Sequence, residues 1–183
     1  MSKKRQASSV NDLRPVEQAV VLETLAARND AVGEAVREEI ERLLAAVDPE
    51  SIAGEVQVDL ELIDTDTIED RSGTDRYGYT APDEAAWEVL EEALASYLER
   101  MKWYHSAGRD GACDAYAFGV LRGLFVFHHE SEAEWTELAP DDVREMFGSV
   151  LREWRRLRKG TAELDAMRDQ LAIWCPGWER DVT

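Results

Sequence analysis

Four small residues, Gly111, Ala115, Gly119 and Gly123, stand four positions apart within an apolar stretch covering residues 112–127. At 3.6 residues per turn, such positions lie one above another on a single helix face. A face bare of side chains is a groove, and a second helix can approach its backbone closely. Glycine costs about 1 kcal/mol against alanine inside a helix, so three of them need a packing reason. The stripe therefore predicts helix packed on helix, with one tightly buried central helix.

The rest of the chain reads the same way. Asp12 and Pro15 open a helix to about Arg28 with Leu13, Val16, Val20 and Leu25 inward. After Asn29 and Asp30, a second helix runs to Val47 with Val32, Val36, Ile40 and Leu43 on one face. Residues 55–63 are ambiguous. Val56, Val58, Leu60 and Leu62 alternate like a strand, whereas Ile52, Val56, Leu60 and Ile63 fit a helix. Asp48-Pro49-Glu50 decides for helix, because it combines a cap, a first-turn proline and an acid at the positive end of the dipole. A short helix with a capping box from Asp66 to Glu69 follows, closed by Gly73. Thr80 caps the longest helix, which Gly108 ends, and the glycine-striped helix returns antiparallel to it. After Pro140, a helix to Lys159 buries Val143, Phe147, Val150, Leu151, Trp154 and Leu157. Thr161 caps the last helix, which ends at Pro176-Gly177.

The expected fold is all-α: seven to eight antiparallel helices in a bundle or a short α-solenoid of paired helices, in the tetratricopeptide or HEAT style. Residues 1–10 read as a disordered tail and 11–183 as a single helical domain. An apolar fraction of 44% is that of a globular chain. No apolar run approaches the roughly 20 residues needed to cross a bilayer, and no apolar segment follows Lys3, Lys4 and Arg5, so a cytoplasmic address is expected.

The 39 acids against 21 bases give a net charge of −18. That field repels nucleic acid and anionic membrane, and suits a basic protein partner. Four of the bases are lysine and the rest arginine. Few lysines among many acids fit a salt-loving organism, and a GC-rich genome gives the same bias. The two cysteines, Cys113 and Cys175, form no metal or disulfide pattern.

Ile68-Glu69-Asp70-Arg71-Ser72-Gly73, Asp75-Arg76-Tyr77-Gly78-Tyr79 and Ala85-Ala86-Trp87 resemble an uncharacterised helical domain of prokaryotic proteins. The segment from Trp135 through Leu138-Ala139-Pro140-Asp141 to Phe147 resembles a later part of the same family. Some of its longer members carry a SWIM-type zinc finger. This chain lacks the ligands of that finger, so the resemblance implies helices and no zinc role.

Candidate chemistry is sparse. His128 and His129 are adjacent, which points them about 100° apart on a helix and away from a shared metal. A calcium loop begun at Asp64 fails, because Ile68 and Glu69 occupy the acceptor and glycine positions. Residues 59–92 hold twelve acids against two bases, too many for any pair to be informative without burial. No nucleophile elbow, phosphate-binding loop, dinucleotide fingerprint or zinc-protease motif occurs. Aromatic and histidine clusters mark the candidate binding residues: Trp103, Tyr104 and His105 at the end of one central helix, His128 and His129 at the end of the next. No cofactor is implied. The leading expectation is a non-catalytic, acidic protein-interaction domain, with a protein partner and a homodimer as candidate assemblies. The alternatives are an enzyme or small-molecule binder where the helices converge, and an acidic nucleic-acid mimic.

Overall fold

Every long element of the computed structural model, which describes residues 13–74, 76 and 78–182, is helical. Among the described residues there are eight α-helices: α1 (Pro15–Ala26), α2 (Ala31–Ala45), α3 (Pro49–Glu61), α4 (Thr65–Arg71), α5 (Pro82–Ser106), α6 (Asp110–Glu130), α7 (Asp142–Leu157) and α8 (Thr161–Trp174). Short 3-10 turns lie at Glu134–Glu137 and Glu179–Val182. The expectation of no strand needs one small amendment. Gly73–Thr74 (β1) and Tyr79–Thr80 (β2) pair antiparallel, two residues each. The tail expected over residues 1–10, the cap at Asp12, and Asp75 and Tyr77 lie outside the described residues. No described helix is long and apolar enough to cross a membrane.

The chain divides into two compact units, Met1–Ala46 and Val47–Thr183. The division falls where α2 stops: Ala46 leaves helical geometry, with φ −90° and ψ 64°, just before Asp48 opens α3.

In the first unit, α1 and α2 form a helical pair. Asp30 caps α2 by accepting from the backbone N–H groups of Val32 and Gly33, both at 3.1 Å. Arg37 reaches back to the Ala26 and Arg28 carbonyls, satisfying the open end of α1. Gly33 is buried because α1's exit passes over it, and a Cβ there would strike the Arg28 carbonyl. Val16 and Val20, expected inward, are instead exposed, as are Leu22, Val32 and Leu43. A two-helix unit has too little surface to cover both apolar faces.

In the second unit, α6 is the centre. Helices α3, α5, α7 and α8 all pack against it, and the core they share is apolar, from Leu60, Leu90 and Leu94 to Leu121, Leu124, Phe147 and Trp154. The contact with α3 is where the small-residue stripe acts. Gly119 faces Pro49 and Ile52, and Gly123 faces Ala53 and Val56, so the two helices run parallel in close backbone contact. Ala115 is half-buried and Gly111 is exposed with open space around it. Only the C-terminal half of the stripe makes the contact.

Helix boundaries follow local chemistry. Asp48 accepts from the Glu50 N–H at 3.2 Å and the Ser51 hydroxyl at 2.7 Å, confirming the start of α3. Asp64, two residues earlier than the expected Asp66, caps α4. Ala81 rather than Thr80 precedes α5, and Gly160 precedes α8. Gly108 ends the α5 region with a left-handed φ of 71°.

Candidate functional site

The two aromatic and histidine clusters stay apart, at opposite ends of the α5–α6 pair. At the close of α5, Tyr104 is buried against Tyr116, while Trp103 is 39% exposed with the Arg100 guanidinium 4.5 Å from its ring centre. His105 Nδ1 lies 3.0 Å from Asp110 Oδ1 and ties α5 to the first turn of α6. At the far end of α6, His129 Nδ1 is 2.8 Å from the Phe125 carbonyl, a helix C-terminal contact. His128 packs on Trp178, whose ring centre is 5.0 Å away. Burial first, then the nearby charges of His129 and Arg144, hold His128 below its ordinary pKa. These residues stitch helix ends together. Among the described residues no group of three or more His, Cys, Asp or Glu side chains is placed to hold a metal.

A more open arrangement lies along α3. Its inner face buries Ala53, Val56 and Leu60, with Ile52 and Ile63 half-buried. Its outer face carries Val58 and Leu62, which are 58% and 75% exposed. The strand-like alternation in the sequence is thus split by the helix: Val56 and Leu60 go in, Val58 and Leu62 go out.

Beyond Gly123 the side chains of α6 grow again, to Val126 and Phe127, and the close contact with α3 opens into a groove of about 410 Å³. Phe127 is buried and stacks on Trp135 with ring centres 5.6 Å apart, giving the floor a fixed position. Val58, Leu62 and Val126 supply apolar walls, and Glu61 and Glu130 stand at the rim. On the other side of Val58 is a second hollow of about 400 Å³, edged by Glu55 and Asp59. There the Tyr97 hydroxyl donates to Asp59 Oδ2 at 2.7 Å. Burial, reinforced by Asp59, holds the Tyr97 proton well above the ordinary tyrosine range.

The charged residues lining the groove and the hollow have one sign. Helices α3 and α6 run parallel, so both present their C-terminal, carbonyl-rich ends near the groove. One of those carbonyls, that of Leu60, accepts a hydrogen bond from the buried Trp135 Nε1 at 3.2 Å. Glu55, Asp59, Glu61 and Glu130 add full negative charges around two exposed aliphatic side chains.

Val58 and Leu62 are missing from the candidate binding residues named from the sequence, where they figure only in the strand-like alternation. Their signal was present, because a helix whose apolar residues satisfy two periods at once has a second apolar face. Comparison with family models, with curated proteins and with solved structures finds no match to this chain. What the groove can do follows from its own geometry.

Proposed function

We propose that this chain is a helical interaction domain that receives a basic, amphipathic helix of a protein partner along α3 and its groove with α6. The observation that carries this reading is the exposed pair Val58 and Leu62, set four residues apart between acids and beside two helix C-termini. Helix-in-groove recognition uses apolar anchors at such spacing, and the flanking charges choose the partner's sign. A second copy of this chain would set acid against acid here, so the strip favours a foreign, basic partner over a homodimer. The two free cysteines are both buried, and unpaired thiols suit a reducing, cytoplasmic setting.

The test is binding of a fluorescently labelled Leu/Lys amphipathic helix, followed by anisotropy, with Val58→Glu/Leu62→Glu as the control. Wild type should bind, more weakly as salt rises, and the double variant should lose about tenfold or more in affinity while keeping its helical circular dichroism. Equal binding by both proteins, or none by wild type, sinks the groove as a docking site.

A further inference from the structure

The outer face of α7 reverses the charge that dominates the rest of the chain. Arg144, Gly148, Arg152 and Arg155 recur there at helical spacing along an open cleft of about 720 Å³. Trp87 of α5 and Arg180 of the C-terminal turn complete its lining, so two distant segments converge on the α7 face. Asp141 and Glu145 are the carboxylates lining the cleft, against four guanidinium groups, of which Arg180 also pairs with Glu179 at 3.8 Å.

Local geometry prepares this surface. Gly148 has no side chain, and the Arg152 guanidinium occupies the space, with one terminal nitrogen 3.3 Å from where a Cβ would sit. Arg144 is held from behind by the Trp178 ring, whose centre is 5.6 Å from its guanidinium carbon. Trp87 is half-buried and braced on the core, which leaves part of its ring to the cleft.

Guanidinium groups present paired donors that match phosphate oxygens two at a time. An aromatic ring beside them offers a stacking surface for a planar base. The volume falls within the range of small-molecule sites. The net charge of −18 works against a long polyanion, which must lie across the acidic surface, and far less against a compact one. We infer that the α7 cleft binds a nucleoside polyphosphate: Arg152, Arg155 and Arg180 hold the phosphates, and Trp87 stacks the base. Asp141 and Glu145 accept from ribose hydroxyls or base N–H groups.

Isothermal titration of the full chain with ATP, GTP, sodium tripolyphosphate, adenosine and a glutamate-rich peptide tests this directly. A nucleoside triphosphate should bind about tenfold tighter than tripolyphosphate, and adenosine far more weakly than ATP. Arg152→Ala/Arg155→Ala should weaken ATP and tripolyphosphate alike by about tenfold or more, and Trp87→Leu should erase the preference between them. Should Trp87→Leu fail to fold, the wild-type ratio of ATP to tripolyphosphate decides alone. The assignment is overturned by no ATP binding at low salt, by equal ATP and tripolyphosphate affinities, by tighter binding of the acidic peptide, or by affinities indifferent to the double arginine variant. Val58→Glu/Leu62→Glu should leave ATP binding intact, which separates this site from the α3–α6 groove.

Discussion

Gly123 of α6 lies directly against Val56 of α3: a Cβ on Gly123 would sit 2.7 Å from the Val56 Cβ and 2.8 Å from the Ala53 carbonyl oxygen. One turn earlier, Gly119 stands in the same relation to Ile52 and the Pro49 carbonyl. Real side-chain carbons do not approach so closely, and the obstacles include backbone atoms that cannot swing away.

Gly123→Ala should therefore destabilise the protein by about 1–3 kcal/mol, and Gly119→Leu by enough to prevent stable folding. The opposite sign is expected at Gly54 on α3, which has no atom within 4 Å of a built Cβ. Gly54→Ala should gain up to about 1 kcal/mol, because only helix propensity changes there. Denaturant midpoints measure all three. An unchanged midpoint for Gly123→Ala would show that the helices separate at little cost.

Asp114 joins α6 to the end of α7. Its carboxylate accepts from Trp154 Nε1 at 2.9 Å and from Arg158 at 2.8 and 3.1 Å. Arg158 also pairs with Asp110 at 2.7 Å. Asp114→Ala leaves the buried indole N–H without its acceptor, while Asp110 still compensates the guanidinium. A loss of about 1–3 kcal/mol is expected in chemical unfolding, with Asp114→Asn recovering part of it through its amide oxygen. Equal losses for the two variants would mean that charge, rather than the indole hydrogen bond, sets the cost.

The helical architecture was legible because its signals are local. Asp48-Pro49 marks a helix start by itself, and the spacing of Gly119 and Gly123 marks a close contact whichever helix makes it. The partner of that contact was not legible, since α3 lies 60 and more positions upstream and nothing in the stripe identifies it. Exposure was also hidden. Val16 and Val20 have the spacing of an inward face, yet their neighbours leave them in solvent. Trp178 lies past the Pro176-Gly177 stop, yet it is buried among Phe125, His128 and Phe147, and only long-range folding brings it there. The α7 cleft was invisible for the same reason, because Trp87 and Arg180 stand far from α7 in sequence.

Both thiols should resist modification in the folded protein. Burial pushes Cys113 up to about 11 and Cys175 up to about 12, so the reactive thiolate is scarce at neutral pH as well as shielded. Treatment with a thiol-specific disulfide reagent at pH 8 should label neither residue in native protein and both in denaturant. Rapid stoichiometric labelling under native conditions would contradict the packing of α6 and the C-terminal end of α8.

Asp142, in the first turn of α7, supplies a pH dependence of unusual sign. Its Oδ2 is buried with no hydrogen-bond partner among the described residues, and burial, followed by the charges of Glu145, Asp83 and Asp141, raises its pKa from 3.8 to about 6. The folded protein therefore holds this proton more tightly than the unfolded chain does. Above pH 6 the carboxylate is ionised in both states and folding carries the full penalty. Between pH 6 and about 3.8 the penalty falls away, and below that both states are protonated and it vanishes. Asp142→Asn should accordingly stabilise the protein at pH 7–8, by about 1 kcal/mol once solvent screening of this partly exposed group is allowed for. The gain should shrink as pH falls through 6 and be absent near pH 3.5. Urea unfolding of both proteins across that range measures it, and a difference independent of pH would show that the substitution acts through helix capping instead of charge.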